Sequence, residues 1–136
     1  MKRRQNGFTL IELLLVMVIL TVLAAIVVPK FTGRAQQAKL DAAKTQLNYI
    51  EGALNTFEVD TGRFPTADEG LQALVVQPSN VTNWHAYLEH GAVPADPWGN
   101  AYVYHYPGTH NTNGFDLYSM GPDGREGNDD ITNWQQ

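Results

Sequence analysis

Between Phe8 and Val28 the chain runs for 21 residues with one ionisable side chain, Glu12. As an α-helix rising 1.5 Å per residue, that stretch covers roughly the 30 Å hydrocarbon core of a bilayer. Lys2, Arg3 and Arg4 stand ahead of it and Pro29 directly behind it. An ordinary secretory signal has a shorter apolar stretch, about 7–15 residues, followed by a small-x-small cleavage site. Val27-Val28-Pro29-Lys30-Phe31 offers no such site. A plain membrane anchor accounts for the length but leaves Glu12 unexplained. A carboxylate at the centre of a membrane helix costs about 2.5–3.5 kcal/mol, somewhat less near an end, and such a group usually has a partner.

The basic leader, the Gly7–Phe8 junction and one carboxylate five residues into the apolar helix form a specific combination. It resembles the class III signal of type IV pilins and type II secretion pseudopilins. The resemblance implies that a prepilin peptidase cuts between Gly7 and Phe8 and methylates the new Phe8 amine. It also implies that Glu12 is neutralised on assembly by that amine of a neighbouring subunit. The chain then divides into a leader, 1–7, a transmembrane and assembly helix, 8–28, and a globular domain, 29–136. The resemblance orients it with the leader inside and the globular part outside. Charge alone does not, because Lys30, Arg34, Lys39 and Lys44 follow the apolar run, offset by Asp41 alone.

Without cysteine there is no disulfide framework, thiolate metal site or thiol nucleophile. Once the three leader cations are removed, six basic residues stand against fourteen acidic ones. Such a chain is a poor partner for nucleic acid, whose binding relies on neutralising phosphates.

Beyond Pro29 the pattern becomes one-sided. Leu40, Ala43, Leu47, Ile50, Leu54 and Phe57 recur at steps of three and four, which predicts an amphipathic helix continuing to about Asp60. Pro29 is expected to kink or locally break it. Gly62 suits the left-handed position that ends it. Thr66 and Glu69 read as a capping box before a short helix carrying Leu71, Leu74 and Val75. The stretch around Trp84, Tyr87, Leu88 and Val93 has no clear period. Asp96-Pro97-Trp98-Gly99-Asn100 is a turn, and strands are predicted over Ala101–Tyr106 and Phe115–Ser119, forming an antiparallel hairpin.

His85, His90, His105 and His110 show no tight ligand spacing and read as surface or loop residues. Ser119 lacks the G-x-S-x-G context, and no catalytic constellation is visible. Asp123, Glu126, Asp129 and Asp130 crowd an irregular, glycine-rich segment ending at Ile131. Calcium suits such a loop, since it takes six to eight oxygens in a tolerant geometry. The spacing is not that of an EF-hand, and on composition alone a solvated acidic turn is the favoured account.

Leu117–Gly124, Asn128–Ile131 and Asn133-Trp134 resemble the C-terminal calcium loop of the major pseudopilins of type II secretion, the general secretion pathway protein G family. Arg63-Phe64-Pro65-Thr66, Glu69–Leu74 and Asp96-Pro97-Trp98-Gly99 resemble that family as well. The resemblance implies an α+β, type IV pilin-like fold, in which a long N-terminal helix packs on a small antiparallel sheet with a C-terminal metal-binding loop. It implies structural Ca2+ held by Asp123, Asp129 and Asp130 with the backbone carbonyls of Met120 and Gly127. The Asp123–Asp129 connection is about one residue shorter than the family's, which leaves Glu126 as an alternative donor.

The function implied is that of a non-enzymatic subunit of the periplasmic pseudopilus, anchored in the bacterial inner membrane. Its expected partners are other copies of itself, minor pseudopilins, the inner-membrane assembly platform and the prepilin peptidase. Two rival readings are a type IV or DNA-uptake pilin and a membrane-tethered, metal-dependent periplasmic enzyme. The first often carries a C-terminal cysteine pair or a basic face, and this chain has neither. The second lacks a recognisable base or nucleophile.

Overall fold

The computed structural model describes residues 7–134, except for the side chains of 28–32. The leader cations Lys2, Arg3 and Arg4 lie outside the described residues. The chain divides after Gln37 into two compact units.

One helix, α1, spans Leu10–Thr61. It begins two residues later than the expected Phe8 because Thr9 takes the capping position. In the first unit every described side chain from Phe8 to Val27 is exposed, including Phe8 at 85% and Ile11 at 74%. The helix from Leu10 to Val27 is long and apolar enough to cross a membrane. The kink expected at Pro29 falls among residues 28–32, whose side chains are not described, while the backbone assignment stays helical through it.

In the second unit α1 is amphipathic as its spacing predicts. Ala43, Leu47, Ile50, Leu54 and Phe57 are buried, and Leu40 is partly buried against them. The helix stops at Gly62, whose φ of +78° is open to glycine without the clash a Cβ would bring. Its N–H still reaches back to the Glu58 carbonyl at 2.7 Å.

The capping pair at Thr66 and Glu69 forms, but the helix behind it differs from expectation. The Thr66 N–H donates to Glu69 Oε2 at 2.8 Å and the Glu69 N–H to Thr66 Oγ1 at 3.3 Å. The segment that follows, Gly70–Leu74, is a 3-10 helix. Gly70 sits at φ +56°, outside right-handed helical space, so no α-helix can propagate from the cap. Its Leu71 and Leu74 still reach the core.

Arg63 closes the same corner with a fork onto Glu69, Nη1 to Oε2 at 2.7 Å and Nη2 to Oε1 at 2.8 Å. These bonds, with those from Thr66, outweigh burial and hold the Glu69 carboxyl down at about 2. A carboxyl with a depressed folded pKa adds stability above its unfolded pKa and loses it as pH falls through the folded value. The Glu69→Gln variant is therefore expected to be about 1–3 kcal/mol less stable at pH 7. That deficit shrinks between about pH 4.5 and pH 2, as urea unfolding at several pH values would read out.

The sheet has three antiparallel strands in the order β1 (Val103–His105), β2 (Asp116–Ser119) and β3 (Ile131–Thr132). β1 is shorter than the predicted 101–106, because Ala101 forms an isolated bridge with Ala95 instead. The pairing predicted between the first two strands is present, with Tyr104 opposite Leu117. β3 was not expected from the sequence. It places Ile131 opposite Ser119 and makes β2 the central strand, buried along its whole length. Phe64, Tyr104 and Phe115 pack ring against ring over the helix face.

Candidate functional site

Two places on the chain carry chemistry beyond packing. The first is the start of α1. The Thr9 N–H and Oγ1 both donate to Glu12 Oε2 at 2.8 Å, and the Glu12 N–H returns to Thr9 Oγ1 at 3.3 Å. This is a reciprocal capping box, in which the Glu12 carboxylate satisfies N–H groups the helix leaves open. That oxygen is bonded to the nitrogen of Thr9, the residue after Phe8, so the carboxylate expected to meet an α-amine is turned to the helix start. Gly7 and Phe8 precede the helix without regular structure.

The second is the loop joining β2 to β3. β3 and Asn133 clamp its base. Asn133 accepts from Leu117 N–H at 3.0 Å through Oδ1, donates from its own N–H to the Leu117 carbonyl at 3.0 Å, and donates from Nδ2 to the Phe115 carbonyl at 3.2 Å. Gly121 turns the chain at φ +67° and is buried. A Cβ there would lie 2.5 Å from the Asp129 carbonyl oxygen and 3.1 Å from its Oδ2. A Cβ on Gly127 would lie 3.3 Å from Asp129 Oδ1. Both glycines thus let the main chain close around Asp129.

The other carboxylates of this loop bond locally. Asp123 Oδ1 accepts from the Arg125 N–H at 2.9 Å, and the Asp130 oxygens accept from the Gly127 N–H at 3.2 Å. The Tyr118 hydroxyl donates to Glu126. Burial, then the charges of Asp129, Glu126 and Asp123, raise the Asp130 carboxyl above its ordinary value despite the Gly127 bond. The donor chemistry, carboxylates and main-chain carbonyls on a glycine-rich turn, fits a hard divalent cation. Among the described residues no three His, Asp or Glu side chains converge as a ready-made ligand set. Met120 is half-buried at the end of β2.

Buried polar residues hold this loop and its neighbour in place, and one of them, Asp116, is marked by no sequence motif. Asp116 is 2% exposed. Its Oδ2 accepts from Thr109 N–H and Oγ1, His110 N–H and His110 Nδ1, and its Oδ1 accepts from Asn111 N–H at 2.8 Å. Burial alone would raise this carboxyl. The bonds from His110, Asn111 and Thr109 prevail and hold it far below the usual carboxylate range. Asp96 is buried too. Its Oδ1 caps the turn through Trp98 and Asn100 N–H, and its Oδ2 accepts from Ser119 Oγ at 2.6 Å. Ser119 Oγ in turn accepts from the Gly121 N–H at 3.1 Å, so Ser119 is a structural link between two turns. The signal available in the sequence was an aspartate inside an apolar strand, Phe115-Asp116-Leu117. Only the fold shows which donors meet it.

The histidines stay apart. His105 stacks on Tyr118, His110 lies flat on Trp134 with centroids 4.1 Å apart, and His85 approaches Asp60 at 3.4 Å. His90 occupies a tight 3-10 turn at φ +66°.

A protein-family model described as Type II secretion system (T2SS), protein G, matches residues 30–134. One described as the prokaryotic N-terminal methylation motif matches residues 2–28. The type II secretion system core protein G of Pseudomonas aeruginosa is 46% identical, over 98% of this chain and 97% of that one. Its counterpart from Klebsiella pneumoniae is 45% identical over 97% of this chain and 96% of its own length. Among solved structures, the major pseudopilin from the type 2 secretion system of enterohaemorrhagic Escherichia coli superposes with a TM-score of 0.66 at 33% identity. That match covers 75% of this chain and 87% of the pseudopilin. Similarity of this extent spans the apolar helix, the head and the loop together, and the chain belongs to the type II secretion system protein G family.

Proposed function

We infer that this chain is a structural subunit of the type II secretion pseudopilus, a filament built by copies of the chain itself. The observation that carries the reading is a helix half that is apolar on every side and exposed along its length, joined to a head of the protein G family. Such a surface is stable only in lipid or against identical helices. Residues 8–28 hold the subunit in the inner membrane as a single span, with residues 29–136 in the periplasm. Prepilin peptidase removes residues 1–7 and methylates Phe8. Glu12 exchanges part of its Thr9 capping box for the Phe8 amine of a neighbour, so the cost of a buried carboxylate falls as the filament grows. The head works without catalysis. Minor pseudopilins and the inner-membrane assembly platform are its further partners.

Calcium is the cofactor this reading carries. Asp123, Asp129 and Asp130 supply carboxylates and Met120 and Gly127 carbonyls, with Glu126 available from Tyr118. When bound, the ion neutralises the carboxylates and ties the β2–β3 loop to the sheet, a task that disulfides cannot do in a chain without cysteine.

The function is tested with Glu12→Ala in cells lacking their own copy of the chain. The variant is expected to be inserted and cleaved, yet to give no sedimentable filament and at least tenfold less secreted protein. Filaments and secretion at the unsubstituted level would overturn the role of Glu12. Failure of the unsubstituted chain to restore secretion would overturn the function.

A further inference from the structure

Met120 is expected to meet calcium through its main-chain carbonyl, and the fold fixes where that carbonyl points. The peptide between Met120 and Gly121 is trans, so its N–H and C=O lie in one plane and face opposite ways. The Gly121 N–H donates to Ser119 Oγ at 3.1 Å. The Met120 carbonyl is therefore directed away from the Ser119 hydroxyl. Among the described residues no hydrogen-bond donor reaches it. Asp129 flanks the same peptide, since a Cβ on Gly121 would lie 3.1 Å from Asp129 Oδ2.

The hydroxyl that holds this peptide is itself held. Ser119 has one proton to donate and gives it to Asp96 Oδ2 at 2.6 Å, which leaves the lone pairs of Oγ for the Gly121 N–H. Ser119 is 0% exposed and Asp96 4%, so water does not compete for either group. Asp96 is fixed in turn through its other oxygen, where Oδ1 accepts from the Trp98 N–H at 3.0 Å and the Asn100 N–H at 2.8 Å. The same turn backs the loop a second time, because a Cβ on Gly124 would lie 3.3 Å from Asn100 Nδ2.

We propose that Asp96 and Ser119 are positioning residues for calcium, which set the direction of the Met120 carbonyl as a donor by holding the Gly121 N–H of the same peptide. This role rests on the reading of the β2–β3 loop as a calcium site. It adds that affinity for the ion is governed from a turn 23 residues before Ser119 in the chain. Partners that orient a ligand in this way typically change metal affinity by about 10–100-fold when removed. A link that served the fold alone would change stability and leave the affinity of the folded protein as it was.

The test uses the full-length chain in detergent micelles, stripped with chelator and titrated with calcium chloride. Calorimetry reads Kd, and circular dichroism in chelator checks that each variant is folded. Methionine labelled with 13C at the carbonyl reads the donor itself. Met120 is one of three methionines, and Met120→Leu, which keeps the main-chain carbonyl, assigns its resonance. In the unsubstituted chain calcium is expected to move the Met120 carbonyl resonance. Ser119→Ala removes both bonds of the hydroxyl and is expected to raise Kd at least about tenfold and to abolish that movement. Asp96→Asn keeps the Trp98 and Asn100 bonds through its amide oxygen but turns an NH2 donor toward Ser119. A smaller rise in Kd is expected from it.

A Met120 resonance that calcium leaves in place in the unsubstituted chain, while calorimetry shows binding, would overturn this role without any variant. So would a folded Ser119→Ala chain with an unchanged Kd, which would leave the link to the fold alone. Should Ser119→Ala not fold, an unchanged Kd in Asp96→Asn counts equally against it. An unsubstituted chain that binds no calcium would overturn calcium as the cofactor, and this role with it.

Discussion

Replacing Asp116 by asparagine is expected to destabilise the head by about 2–4 kcal/mol at pH 7, the range for removing a buried, hydrogen-bonded charge from its donors. The amide oxygen can keep one set of N–H donors. Its NH2 group would then face either the Asn111 N–H or those of Thr109 and His110, donor against donor. For a unit of about a hundred residues this lowers Tm by roughly 10–25 °C. Asp68→Asn, on an exposed side chain, is the control and is expected to change stability by less than about 0.5 kcal/mol. The pH dependence has a definite sign. Asp116 is depressed in the folded state, so its contribution is complete above its unfolded pKa of about 3.9 and is lost as pH falls toward the folded value. The variant should therefore show a flatter loss of stability with acid than the unsubstituted chain. Equal unfolding midpoints at pH 7 would mean that the 107–114 connection holds its shape without the carboxylate.

Calcium is expected to raise the unfolding midpoint of the head by about 10–20 °C. A ligand that binds only the folded state stabilises by RT ln(1 + [L]/Kd), about 2.7 kcal/mol at a hundredfold excess over Kd. Each kcal/mol moves Tm by about 4–8 °C in a domain this small. Magnesium at the same concentration should do much less, because it demands octahedral geometry and gives up its water reluctantly. The double variant Asp129→Asn/Asp130→Asn should lose the calcium response. It should also start more stable than the unsubstituted chain in chelator, since Asp130 bears the repulsion of Asp129, Glu126 and Asp123. Thermal unfolding of a 31–136 fragment, with calcium, magnesium or chelator, separates these outcomes. A midpoint insensitive to calcium would reduce the β2–β3 loop to a solvated acidic turn.

Several features are legible in the amino-acid sequence because each depends on neighbours in the chain. The membrane-spanning length of the Phe8–Val28 run, the buried face through Ala43, Leu47, Ile50, Leu54 and Phe57, and the stop at Gly62 follow from helix period and backbone sterics. So do the Asp96–Asn100 turn and the pairing of β1 with β2. Local rules also have local failures. Thr66 and Glu69 make the expected cap, but Gly70 adopts a left-handed φ and turns the segment into a 3-10 helix.

The sequence by itself determined a membrane-length helix, an amphipathic continuation, a hairpin and an acidic, glycine-rich loop, since periodicity and turn chemistry act over a few residues. Tertiary structure alone decided that β3 returns beside β2 and that Asn133 fastens the loop base. It also decided that Asp116 and Asp96, ordinary residues in the sequence, become the buried anchors of two connections. The reason is the cost of burial. A carboxylate removed from water must find N–H donors, and which donors reach it depends on chain segments brought together only when the sheet closes over the helix.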